Sequence, residues 1–176
     1  TAGGHVDDFI FTYDPTSEEA CQKLSRMRKR FEWGEWCEGD KFTQCGVEYE
    51  RSRSGSLRLS QERFTEGLSE LIIPRHRRLT PMAKISDDER TMARGALGSL
   101  QWLTQTRPDL LTMVSFLQSA TSADGKVQDL LEINKVIRLA KMYSDGGLEI
   151  CPIPIEELLI VTYNDASWAS RSDHSS

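Results

Sequence analysis

Metal-binding and disulfide-forming side chains are sparse in this chain and widely spaced. Its four cysteines, Cys21, Cys37, Cys45 and Cys151, include no CxxC pair, and its three histidines, His5, His76 and His174, are equally dispersed. This pattern lacks the ligand spacing of a structural zinc site, and without secretory signals it implies no disulfide framework. Reduced thiols and an intracellular protein are the expectation. No apolar run approaches the roughly 20 residues of a membrane-spanning helix, so no membrane association is expected. Low-complexity stretches and internal repeats are lacking too. So is the regular alternation of strand and helix patterns that a doubly wound parallel sheet requires. Thr1 to His5 carry neither Met nor a charged-then-apolar leader pattern, and a strand-like run, Val6 to Tyr13, follows at once. That abrupt opening is expected of a piece of a longer polypeptide.

What is present is an ordinary globular composition. The 176 residues are 38% hydrophobic and 28% charged, enough for one domain or two small ones. The net charge of −5 speaks against nucleic-acid binding by the chain as a whole. Its distribution does not. Between Arg51 and Lys84 lie eight basic residues and only three acidic ones, and a local basic surface binds phosphates even on an acidic protein.

Pattern and punctuation predict the elements. Phe9, Ile10 and Phe11 read as a buried strand, broken by Asp14-Pro15. Thr16 and Glu19 make a capping-box signature for a helix carrying Ala20, Leu24, Met27 and Phe31. Lys41 to Glu50 alternates as a single half-buried strand, with Thr43, Cys45, Val47 and Tyr49 on one face. Ser54-Gly55 then turns the chain into a short return strand, Leu57 to Leu59. A helix is predicted over Gln61 to Ile72, then an arginine-rich loop from Pro74 to Pro81. Ser86 and Glu89 form a second capping box, before a helix with Met92, Ala96, Leu100 and Leu103 on its apolar face. Gly95 and Gly98 weaken this helix but allow another backbone to come close. Pro108 suits the first turn of the next helix, with Leu110, Val114 and Leu117 inward. A third helix, Lys126 to Tyr143, stops at Gly146-Gly147, and Leu148 to Ile150 and Leu158 to Tyr163 read as strands. The fold class expected is α+β.

Three carboxylates stand where chemistry is plausible. Asp7 and Asp8 adjoin an apolar strand, and two ionised carboxylates about 5 Å apart repel by roughly 3 kcal/mol at an effective dielectric near 20. A divalent cation offsets that repulsion. Hard oxygen donors suit magnesium, as in two-metal phosphoryl transfer. Asp165 follows another apolar run, Leu158 to Tyr163, and is a further candidate ligand. Each also has a plain reading as an exposed turn or strand-end aspartate. Trp33, Trp36, Trp102 and Trp168 are able to stack on bases, although Trp102 reads as core and the pair Trp33 and Trp36 as a loop anchor.

Read as blocks, the chain resembles copia-type retrotransposon reverse transcriptases. His5-Val6-Asp7-Asp8-Phe9-Ile10-Phe11 resembles their Tyr-x-Asp-Asp hairpin, and Phe42 to Arg51 resembles the strand that grips the primer end, with Cys45, Gly46 and Val47 at its centre. Leu57-Arg58-Leu59-Ser60-Gln61 with Phe64 is similar to the family's Leu-Ser-Gln segment. Gly98 to Leu103 followed by Thr106-Arg107-Pro108-Asp109-Leu110 resembles a block distinctive of the copia type. Tyr163-Asn164-Asp165-Ala166-Ser167-Trp168-Ala169 resembles the opening of the attached RNase H domain. The blocks occur in the family's order and span nearly the whole chain.

This resemblance implies the end of a palm over residues 1–60, thumb and connection helices over 61–145, and the first strands of an RNase H-like domain over 146–176. It implies RNA-directed DNA polymerisation with two Mg2+ ions held by Asp7, Asp8 and an upstream aspartate that this chain lacks, and Asp165 as a metal-binding carboxylate of RNase H. Expected partners are an RNA/DNA template–primer duplex, deoxynucleotide triphosphates and the remainder of a polyprotein, in a cytoplasmic virus-like particle or the nucleus. Arg51, Arg53, Arg58, Arg75, Arg77 and Arg78 are the candidate phosphate contacts. Two positions depart from the family pattern: His5 stands in place of Tyr, and Cys45 where Leu is common. A stretch lacking the upstream palm is expected to be inactive alone. The alternatives are a non-catalytic nucleic-acid-binding remnant of such an element and a purely structural domain.

Overall fold

The computed structural model describes residues 2–5, 8–159, 161 and 162. Strands β1 (Ala2–His5) and β2 (Asp8–Phe11) pair antiparallel, with His5 opposite Asp8 and Gly4 opposite Phe9. The strand expected to be buried is not: Phe9 is 48% exposed. It joins Phe11, Phe31, Trp33 and Trp36 in an aromatic cluster, in which Trp33 meets both Phe9 and Phe11 edge-on. Trp33 and Trp36 thereby anchor the segment after α1 (Glu18–Arg30) to the hairpin. The cap of α1 is Ser17 rather than the expected Thr16. The Thr16 hydroxyl and amide both donate to the Asp14 carboxylate at 2.8 Å. That leaves the Ser17 side chain to accept from the Ala20 amide.

The larger sheet is antiparallel, in the order β3-β4-β5-β6. Its strands are β3 (Lys41–Gln44), β4 (Val47–Arg51), β5 (Leu57–Ser60) and β6 (Gly147–Ile150). The expected single strand over Lys41–Glu50 is thus a hairpin. Cys45 and Gly46 have φ of 48° and 74°, the positive values a two-residue hairpin connection needs. The last strand, β6, runs beside β5, with Gly147 opposite Ser60 and Leu57 opposite Ile150. It closes a sheet whose other members lie almost ninety positions earlier. The expected strand over Leu158–Tyr163 has no regular structure among its described residues, and Leu159 is 80% exposed.

Between β5 and β6 lies a helical unit. The predicted long helix after Gln61 is only α2 (Glu62–Gly67), because Leu68 takes extended backbone angles. Residues 68–73 run instead as an extended strap against α6 (Val127–Met142). The buried Asn134 amide accepts from the Leu71 N–H and donates to the Leu71 carbonyl, and the Lys141 ammonium donates to the Leu68 carbonyl. The arginine-rich loop contains one helical turn, α3 (Arg75–Arg78). The core is the meeting of α4 (Asp87–Leu103), α5 (Leu111–Asp124) and α6. Leu100, Leu103, Leu110, Val114, Leu130 and Ile133 are wholly buried there. Each such burial contributes about 1.5–3 kcal/mol relative to exposure.

The inward stripe of α4 is Glu89, Ala93, Leu97, Leu100 and Leu103, not the expected Met92 and Ala96 series. Glu89 faces inward because it closes the capping box with Ser86 and receives the Arg77 guanidinium. Residues four and eight positions later share its face. Pro108 opens a 3-10 turn, Pro108–Leu110, that leads into α5. The chain is therefore α+β. Among the described residues no helix is long and apolar enough to cross a membrane.

Candidate nucleic-acid interface and metal centre

Of the Asp-Asp motif, only Asp8 lies among the described residues. Asp8 opens β2 and pairs with His5, the last residue of β1. Asp7, and Asp165 with the block around it, lie outside the described residues. Among the described residues no three His, Cys, Asp or Glu side chains converge as a metal site. The donor set named from the sequence is carboxylate only, which by its chemistry fits magnesium rather than a softer ion.

Cys45, Gly46 and Val47 occupy the tip of the β3–β4 hairpin. Register sets which side chains face together: Phe42 lies opposite Tyr49 and Gln44 opposite Val47. The Phe42 and Tyr49 rings stack at 4.9 Å with 7° between their planes. The shared face is therefore Phe42, Gln44, Val47 and Tyr49, and Thr43 points the other way. Trp102, expected in the core, is 38% exposed at the end of α4. Its indole nitrogen would sit 3.8 Å from a Cβ built on Gly46. The hairpin tip thus abuts the last turn of α4.

The six candidate arginines divide into two groups. Arg77 makes a two-oxygen fork to Glu89 (2.8 and 2.6 Å) and donates to the Lys84 carbonyl at 2.7 Å. Its hydrogen bonds hold the Glu89 carboxyl below the ordinary carboxylate range, against the opposing effect of burial. Arg78 donates to the Ile73 carbonyl, and Arg58 to the Asp145 carbonyl. These three side chains hold the fold together. Arg51, Arg53 and Arg75 are exposed, and their side chains have no partner among the described residues. Of the six candidates, these three are the ones not engaged in holding the fold.

One candidate cation was not singled out from the sequence. Arg94 is exposed on α4, likewise without a side-chain partner among the described residues. Neighbouring Gly95 and Gly98 meet nothing within 4 Å of a built Cβ, so no described segment takes up the close approach they permit. An open groove of about 720 Å³ runs beside Gly95, lined by Arg63, Phe64, Met92 and Ser99 among others. The signal for Arg94 was its position on the polar face of a helix that carries two glycines.

No family model, no curated protein and no solved structure matches the chain.

Proposed function

We propose that this chain is the carboxyl-terminal half of a copia-type reverse transcriptase, from the catalytic hairpin of the palm through thumb and connection helices toward RNase H. The observation that carries the reading is the antiparallel pairing of β1 with β2, His5 opposite Asp8. It supplies the hairpin that the Asp-Asp motif of that family needs, in a chain whose later blocks follow in the family's order. Asp7 and Asp8, with an aspartate upstream of this chain, hold Mg2+, which lowers the charge barrier to nucleotidyl transfer when bound. The Cys45–Gly46 tip supports the primer end, and Trp102 behind it limits its movement. Arg51, Arg53 and Arg75 contact phosphates, with Arg94 and the open Gly95–Gly98 face of α4 beside the duplex. Such contacts set affinity without reading sequence.

Salt dependence of binding tests this surface. In a chain extended upstream through fingers and palm, replacing Arg51, Arg53 and Arg75 with Ala weakens binding to any RNA–DNA hybrid alike. It also flattens the plot of log affinity against log salt by about 3 units, near 0.9 per lost phosphate contact. An unchanged slope removes these arginines from the interface. Arg77 and Arg78 are left intact in this test, because their loss would disturb the fold instead.

His5 supplies a second test. An imidazole is smaller than a phenol and titrates near neutral pH. His5→Tyr in the extended enzyme is expected to retain or raise DNA synthesis. Complete loss of synthesis would show that position 5 does not take the family's Tyr role.

A further inference from the structure

Gln61 and the Thr106-Arg107-Pro108-Asp109 block, taken so far only as marks of resemblance, meet in space. Gln61 follows directly after β5 and is 1% exposed; its side-chain oxygen accepts from the equally buried Thr106 hydroxyl at 2.9 Å. Next to it, Arg107 is 6% exposed. Its guanidinium forks onto Asp109 at 2.9 and 2.8 Å and donates to the Tyr143 carbonyl, just past the end of α6, at 2.6 Å. Gly146 lies so close to that side chain that a Cβ there would be 2.8 Å from Arg107 Nε. Gly147 then begins β6 against Ser60, and Arg58 of β5 donates to the Asp145 carbonyl. The end of β5, the loop after α4, the end of α6 and the start of β6 are thus tied at one joint.

We infer that Gln61, Thr106 and Arg107 are positioning residues that fix the helical unit against the sheet carrying the Cys45–Gly46 tip. The inference rests on the polymerase reading given above. The route is short. β5 pairs along β4, which begins at Val47 beside the tip. From the other side, Trp102 reaches Gly46 only four residues before Thr106. A shift at the joint therefore moves the tip relative to α4 through two connections. Polymerisation needs the primer 3′ oxygen in line with the incoming phosphate, and misplacement by about 1 Å costs on the order of 100-fold in rate. Arg107 touches no reacting group in this scheme; it acts through the tip.

Two variants probe the joint. Gly146→Ala wedges the guanidinium without touching the core, and Arg107→Lys keeps the charge but loses the fork. Spin labels on non-canonical amino acids at the exposed Thr43 and Ser119 report the distance between sheet and helices. The parent chain should give one narrow distance distribution, and each variant a shifted or broadened one. In the extended enzyme, kcat should fall about 10- to 100-fold with the nucleotide KM unchanged. Unchanged distances in both variants overturn the joint, and changed distances with unchanged kcat overturn its positioning role. A parent enzyme that makes no DNA overturns the polymerase reading and the positioning role with it. That failure is recognisable because it needs no variant.

Discussion

On the proposed polymerase reading, Asp7→Asn in a chain extended upstream by fingers and palm is expected to lower DNA synthesis by more than about 1000-fold, equivalent to roughly 4 kcal/mol or more of transition-state stabilisation. The amide keeps the size of the side chain but removes the negative charge that a hard divalent cation requires. Asp8→Asn impairs synthesis severely for the same reason. The control is stability. Neighbouring like charges repel, so neutralising one is expected to leave the chain no less stable. Urea denaturation beside a primer-extension assay separates the two effects. Near-normal synthesis by Asp7→Asn would remove this hairpin from the active site. Lost synthesis together with lost stability would make the residue structural.

Glu89→Ala is expected to destabilise the chain by about 2–3 kcal/mol, the combined loss of a capping-box carboxylate and of charge-assisted bonds. Glu89 is 8% exposed, receives the Ser86 amide at 2.8 Å and is forked by Arg77. Removing it leaves the α4 amino terminus half-capped and frees the side chain that ties α3 to α4. The pH dependence follows from the lowered carboxyl pKa, caused chiefly by the Arg77 hydrogen bonds. The unfolded chain, with its glutamate near the ordinary value of about 4.3, takes up a proton before the folded one does. The Glu89 contribution is thus fully present above that value and is lost as pH falls through the lower folded pKa. Glu89→Gln should abolish this part of the acid dependence while keeping most of the packing. Equal acid sensitivity in wild type and Glu89→Gln, read from urea midpoints below pH 5, would show that the fork contributes no pH-dependent stability.

The same residues show how far local signals reach. Ser86 and Glu89 were legible as a cap because both bonds close within three residues. Pro108 as a helix opener and Ser54-Gly55 as a reversal were legible for the same reason, whereas α6 ends at Met142, before the expected stop at Gly146-Gly147. Cys45-Gly46 was not. Alternating side chains continue through both arms of a tight hairpin, so the segment scans as one strand. The two-residue loop shifts the phase, which is why Thr43 was assigned to the face that Phe42 and Gln44 occupy.

Sequence by itself determined the α+β class, the presence of helices α1, α4, α5 and α6 and the capped amino terminus of α4. All of these depend on chemistry within a few neighbours. Tertiary structure alone decided that Glu89 rather than Met92 faces the core and that β6 closes onto β5 across the helical unit. It also decided which arginines are free. Arg75 and Arg77 are alike to any reading of charge. Only the arrival of α4, with Glu89 on its inward face, makes one of them part of the fold and leaves the other exposed without a partner among the described residues.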